Sequence, residues 1–336
     1  MQSMMSICRP ITFTGVVAST AIAATVATLA LTSTAQAQVY PTKPVRVVVP
    51  FGTGTTSDLI GRMVSDRLSQ AFGQTFIVEN RTGAGGTIGT ELVANAPGDG
   101  YTLLISTAAS AITPAIFPNL KYDTAKAFSS VTLISTSPLG LAANVNFPAK
   151  TLRELIDYAR TNPGKVSFGS LGVGTSHHLT GEKLKLDAKI DMIHVPYRGS
   201  GAAHADLMGG VINIMFDNIV ALMPHFKSGK LRPLGVSSLK RHPLLPDVPS
   251  LSEGGLKDFE TLAWFGMLAP SSTPREIVNR LNTEVVKALQ IPELRQRLID
   301  GGSEIVANSP EAADQFLRTE LTRWLAIARA ANVKAE

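Results

Sequence analysis

Cysteine is almost missing from this sequence. The single one, Cys8, precedes an apolar stretch near the N-terminus. Beyond it there is no thiol, which excludes a disulfide framework, a cysteine–metal site and a thiol nucleophile from the rest of the chain. Aromatic residues make up 6%, and no run of five or more basic residues occurs among them or elsewhere. Nucleic-acid binding is therefore not expected. The formal charge of +5 is mild and leans weakly toward small anions. After the N-terminal stretch no run is apolar enough to span a bilayer.

Catalytic and nucleotide motifs are lacking as well. There is no G-x-x-x-x-G-K-[ST]. Gly83-Ala84-Gly85-Gly86-Thr87-Ile88-Gly89 approaches G-x-G-x-x-G, but Ile88 stands where the last glycine is required. Leu103 and Leu104 occupy the place of the ribose-binding acid. Phe168-Gly169-Ser170-Leu171-Gly172 misses the first glycine of a nucleophile elbow. His177 beside Ser176 in sequence is not a triad. A hydrolase is a weak alternative, and neither enzyme activity nor a cofactor is expected. His177, His178, His194 and His204 make a periplasmic zinc receptor a competing reading. Their spacing lacks H-x-x-x-H and H-E-x-x-H, and neighbouring His177 and His178 leave a helix on different faces. No metal ligand is assigned. His177 is expected near a cleft, and His178 to pack or face solvent.

What is present begins with an export signal. Met1–Arg9 carries one positive charge, Ile11–Leu31 carries none, and Ala35-Gln36-Ala37 follows. This layout predicts a signal peptide over residues 1–37, cleaved after Ala37, and a periplasmic destination. Cys8 lies before the apolar region, so lipid attachment at the cleavage site is not expected.

Strand–loop–helix units come next. Val45–Phe51 is a β-branched run, followed by a polar loop and by Leu59, Ile60, Met63, Val64, Leu68 and Phe72 at helical spacing, closed by Gly73. Thr75–Glu79 and Tyr101–Ser106 read as further strands of a parallel α/β sheet. A second series covers Leu139–Val145, Lys165–Gly169, Met192–Val195, Val211–Phe216 and Leu231–Ser237 as strands, with helices between. Arg241–Gly255 reads as a long ordered loop. Thr151–Glu154 and Thr273–Glu276 are predicted capping boxes. Trp324 and Phe316 lie on one apolar stripe and are expected in the core. No exact repeat is present. The expected organisation is one α/β domain from 38–138 plus 259–336 and a second from 139–258.

The loops that follow the strands share one composition. They are Gly52-Thr53-Gly54-Thr55-Thr56-Ser57, Gly83–Thr87, Ser106–Ser110, Ser170–Ser176 and Tyr197–Gly201. All offer hydroxyls and bare backbone and lack general bases. In parallel sheets such loops meet helix N-termini, where free N–H groups and the helix dipole favour anions. The composition fits binding better than catalysis.

Tyr40-Pro41-Thr42-Lys43-Pro44, Val49-Pro50-Phe51, Val78–Gly86, Asp99–Leu103, Gly172–Leu179, Val195–Gly199, Leu245–Leu251 and Trp264-Phe265-Gly266 follow one another in order. With them the chain resembles the Bug-type receptors of tripartite tricarboxylate transporters, over essentially all of its length after the signal. The resemblance implies a two-domain periplasmic binding protein, a type II-like Venus flytrap with the ligand cleft between α/β domains. It implies a small carboxylate ligand (an organic, amino or aromatic acid), membrane transporter subunits or a sensor as partners, and a monomer. Carried over by position, the first clamp is Phe51, Gly52, Thr53, Gly54, Thr55, Thr56, Ser57 and Asp58. The opposing clamp is Ser170, Gly172, Gly174, Thr175, Ser176 and His177. Secondary candidates are Gly85, Gly86, Ser106, Thr107, Tyr197, Gly199, Ala203 and Asp217. Asp58 and Asp217 are expected to cap loops. The chain departs from the family pattern at Thr53 and Thr55, where Pro and Gly are usual, and at Ala202, where Pro is favoured. Thr55 lacks the conformational freedom of Gly, which predicts an altered loop path.

Overall fold

The computed structural model of the protein describes residues 40–117 and 119–334. The chain divides after Thr42. The predicted signal peptide and its cleavage site lie outside the described residues, and the fold below concerns Lys43 onward.

The valine run forms β1 (Val45–Val49), in which every residue but Arg46 is buried. Burial on both faces is what a central parallel strand requires. Arg46 reaches the adjacent strand β2 (Phe76–Asn80) and pairs with Glu79 at 2.7 Å. Between them α1 (Thr56–Phe72) buries Ile60, Val64 and Leu68, and Gly73 closes it in the left-handed conformation. A 3-10 turn (Ala84–Gly86) and α2 (Thr87–Ala94) lead to β3 (Thr102–Thr107) and α3 (Ala108–Ile116). After a one-turn α4 (Thr124–Ala127), β4 runs over seventeen residues, Phe128–Asn144.

Sequence patterning reveals only the second part of β4, because Ser129, Ser130, Thr132, Ser135, Thr136 and Ser137 dilute the first. Tertiary bonds offset part of this burial, although the Ser130 and Ser135 hydroxyls are buried without a partner. Thr132 donates to the Asn308 carbonyl at 2.9 Å and Ser137 to the Gly302 carbonyl at 3.0 Å. Buried hydroxyls with partners cost little.

The second series is α5 (Leu152–Thr161), β5 (Val166–Ser170), α6 (Ser176–Ala188), β6 (Met192–Pro196), α7 (Ser200–Gly209), β7 (Ile214–Asn218), α8 (Ile219–Lys227) and β8 (Leu231–Val236). Then come β9 (Leu262–Pro270), α9 (Arg275–Gln290), α10 (Pro292–Asp300), β10 (Glu304–Ile305) and α11 (Pro310–Ala330). The strand order is β2-β1-β3-β9-β4-β7-β5-β6, with β8 and β10 added on β4. In both β2-β1-β3 and β6-β5-β7 the first strand of its unit sits in the middle, parallel to its neighbours. β4 joins the two: its first part pairs with β9 and its second with β7 and β8, all antiparallel.

Helices α9 and α11 return to the first part of the chain. The first packs on α1 and β4, the second on α3 and β4, and α11 also touches α6. Trp324 is fully buried as expected, while Phe316 is partly buried, edge-on to Trp264. Both indoles donate to one carboxylate oxygen, Glu320 Oε2, at 3.1 Å from Trp264 and 2.8 Å from Trp324. The capping box at Thr151 forms in part: its hydroxyl accepts the Glu154 N–H at 3.2 Å, and the Glu154 carboxylate reaches one residue further back, to the Lys150 N–H at 2.7 Å. The box predicted at Thr273 does not form. The helix starts after Pro274, and the Thr273 hydroxyl is buried with no partner. Among the described residues no helix is long and apolar enough to cross a membrane.

Candidate functional site

The loops after β1 and β5 are built alike. In the first, Thr55 caps α1. Its Oγ1 accepts the Asp58 N–H at 3.4 Å and donates to the Gly52 carbonyl at 2.8 Å. In the second, Thr175 caps α6, accepting from His178 N–H at 3.3 Å and donating to the Gly172 carbonyl at 2.8 Å. The middle glycines match too. Gly54 (φ 83°) and Gly174 (φ 79°) both occupy the left-handed region that a side chain disfavours. Their N–H groups point back to the first helical turn, Gly54 to Asp58 Oδ2 at 2.9 Å and Gly174 to His178 Nδ1 at 3.4 Å. The pattern Gly-x-Gly-Thr thus occurs once in each half. It was visible in the sequence only to a comparison of Gly52–Asp58 with Gly172–His178.

Each cap satisfies the third N–H of its helix and leaves the first two, those of Thr56 and Ser57 and of Ser176 and His177, without a possible partner in the helix. Thr55 itself is extended, with φ −71° and ψ 160°. The positive φ falls on Gly54 instead, so threonine at 55 imposes no strain.

Asn80, which sequence reasoning passed over, fixes the first loop. Its side-chain amide donates to the Phe51 carbonyl and to Asp58 Oδ1, both at 2.9 Å, and its oxygen accepts from Arg62 at 3.1 Å. Burial opposes ionisation of Asp58, but the bonds from Arg62, the Gly54 N–H and Asn80 outweigh it and hold the carboxyl below its usual value. Asp58 therefore caps the loop, as expected.

Gly86 brings in the neighbouring loop: a Cβ there would lie 3.2 Å from the Phe51 ring. Gly85 faces Phe117, and Gly174 abuts Ile116 on the last turn of α3. So α3 joins the loop after β2 to the loop after β5, a role that Ile116 and Phe117 gave no sequence signal for. Ser106 is buried and donates to Ser110 at 2.9 Å; Thr107 caps α3. Among the described residues no hydrogen bond joins Gly52–Asp58 directly to Gly172–His178.

On the other side Ser170 Oγ lies 2.6 Å from His194 Nε2. His194 stacks on His178, with ring centroids 3.8 Å apart, and Phe168 lies beside both. Burial pushes His178 down to about 3 and His194 to about 4, so the stack is neutral at neutral pH. His178 packs, one of its two expected fates. Tyr197 donates to Asp206 at 2.8 Å; burial, with that carboxylate, raises the phenol to about 12. Gly199 precedes α7, and Ala203 is buried against Leu207 and Met215.

Asp217 accepts the Asn218 N–H at 2.7 Å where β7 passes into α8, and it also meets two histidines. It is fully buried at the end of β7, with Oδ2 2.8 Å from His204 Nε2 and Oδ1 3.3 Å from His177 Nε2. Its backbone neighbour Asn218 starts α8 without a side-chain cap. Among the described residues no group of three His, Cys, Asp or Glu side chains is placed to hold a metal ion. A cavity of about 150 Å³ lies between the later turns of α1 and α10, lined by Met63, Arg67, Glu293 and Leu294, away from both capped loops.

Residues 60–333 match the model of the tripartite tricarboxylate transporter family receptor. The chain belongs to that family. It is a receptor, and the family is one of solute receptors, not enzymes. BugT of Bordetella pertussis is 33% identical to the receptor over 92% of this chain and 95% of its own. Among solved structures, R. palustris Rpa4515 with adipate matches with a TM-score of 0.79 and 35% identity, covering 88% of this chain and 99% of that one. MatC from Rhodopseudomonas palustris with bound malate matches with a TM-score of 0.77 and 33% identity, covering 86% and 99%. The receptor thus has the two-domain α/β architecture of periplasmic binding proteins.

Proposed function

We propose that the receptor is exported, cut after Ala37, and captures a small carboxylate-bearing solute between its two capped loops. The observation that carries this is the pair of helix starts at Thr55 and Thr175, each with two N–H groups that no helical turn can bond. Two such ends suit a carboxylate better than a cation or a neutral sugar. Adipate and malate, found with the two neighbours, are both small dicarboxylates and head the candidate list. The contacts proposed are the loop residues Phe51–Asp58 and Ser170–His177, with Gly85, Gly86, Ser106, Thr107, Tyr197, Gly199, Ala203 and Asp217 around them. Residues 38–138 with 259–336 form one domain and 139–258 the other. They close on the solute as a monomer, and the closed form is read by a membrane transporter or a sensor.

The test is a thermal-shift screen of the chain from Gln38, stripped of ligand, against organic acids, amino acids and zinc. A ligand at 100 times its Kd adds about 2.7 kcal/mol to stability. Stabilisation confined to a few carboxylates is the expected result. Stabilisation by zinc alone would replace this reading with a metal receptor.

A further inference from the structure

Next to the second capped loop lies a cluster with an unused atom. His177 is the second residue of α6 and 7% exposed. Its Nε2 is within ion-pair range of Asp217 Oδ1, at 3.3 Å, but outside hydrogen-bond geometry, and its Nδ1 has no partner; both nitrogens are buried. Asp217 is otherwise satisfied, by His204 at 2.8 Å and by the Asn218 N–H at 2.7 Å. A buried ring nitrogen left unbonded is costly, and most such atoms in folded proteins have a partner. This one belongs to the turn whose free N–H groups are the proposed carboxylate site.

We propose that His177 is a charge-bearing ligand contact: on capture its Nδ1–H donates to the carboxylate held at the start of α6, its Nε2–H turns to Asp217, and one proton is taken up. The proposal rests on the capture reading above and names the group that would supply the positive charge. An imidazole between two carboxylates can donate to both only as imidazolium, since the neutral ring has one N–H and would turn a lone pair on the other oxygen. No lysine or arginine bonds Asp217 among the described residues. Burial works against ionising Asp217, but the bond to His204 and the His177 ring nearby hold its carboxyl below the usual carboxylate range.

The other titratable groups around α6 are engaged elsewhere. On β6, His194 is held by Ser170 and stacked on His178. On α6, Glu182 pairs with Lys185 and lies 3.8 Å from His178. On α7, Asp206 holds Tyr197, and His204 faces Asp217 with His225 of α8 edge-on at 4.9 Å. On α11, Glu320 and Arg323 bond each other, the two tryptophans and Glu260. Helix α3 and strand β5 carry no titratable residue.

The experiment is calorimetric titration of the wild-type receptor with adipate and with malate between pH 6 and 8.5, in buffers of different ionisation enthalpy. Binding is tightest where the ring is already protonated and weakens as pH rises, since a proton must then be taken up with the ligand. Affinity is therefore expected to weaken by about tenfold for each pH unit above neutrality, with measurable uptake near pH 7.5. His177→Gln should abolish the uptake, flatten the pH profile and weaken binding at pH 6 at least tenfold. Wild-type affinity that is the same at pH 6 and 8.5 with no proton taken up, or an unchanged profile in His177→Gln, overturns the proposal. Failure of the wild type to bind either acid at any pH, with no other carboxylate found in the screen, defeats the capture reading itself and this proposal with it.

Discussion

Thr55 and Thr175 hold the same post in the two halves of the receptor. Each accepts a hydrogen bond from the N–H three residues ahead, and each donates to the carbonyl of the glycine three residues behind at 2.8 Å. Replacing either with Ala removes a helix cap, at a cost of about 1 kcal/mol. Calorimetric melting should show a loss of about 2–4 °C for each, and Thr→Ser should restore most of it. The two changes share no partner, so the double variant should be additive.

Gly54 and Gly174 separate conformational from steric cost. Ala at either site must adopt a positive φ, worth about 1–2 kcal/mol. At 54 a Cβ meets open space, whereas at 174 it collides with Ile116. Gly174→Ala should therefore destabilise more than Gly54→Ala in chemical denaturation, and shortening Ile116 to Val should narrow the gap.

The neutral His178–His194 stack makes stability fall in acid. Both rings are depressed when folded and recover their ordinary value, about 6.5, when unfolded. The stabilisation is complete above that value and is lost as pH drops toward about 4. The melting temperature of the wild type should fall through this window. His178→Phe, which cannot titrate, should show a shallower slope. An identical slope would locate the acid sensitivity elsewhere.

Glu320 ties together both tryptophans of the chain. Glu320→Ala leaves two buried indole N–H groups unbonded and opens a cavity. A destabilisation of about 2–5 kcal/mol is expected, with a changed tryptophan emission in the folded state that reports directly on the broken pair.

The loops were legible before the fold, for a local reason. A glycine, a capping residue and an apolar run at helical spacing are all encoded within a dozen positions, so Asp58 and Gly73 could be placed from the chain alone, whereas the helix begins ahead of its apolar run with Thr55 as its cap. The family resemblance rested on similar short segments. The first part of β4 was hidden, since serine and threonine signal a turn unless Asn308 and Gly302 arrive from 165 or more positions away to bond them. Thr273 failed in the opposite direction: its capping box was present in sequence, but the backbone enters that helix at Pro274 and leaves the hydroxyl unused.

By itself the sequence determined the alternation of strands and helices, the hydroxyl-rich loops at their junctions, and the absence of thiol chemistry, because each depends on residue type and short-range spacing. Only the tertiary structure decided which histidines matter and how. His178 and His177 are neighbours, yet one ring stacks on His194 from β6 and the other turns to Asp217 at the end of β7. That division is fixed by the 100° turn between successive helical residues and by which strands the sheet order sets beside α6. Neither the strand order nor the pairing of Asp217 with His204 can be read along the chain, since both arise from contacts that close only when the sheet is complete.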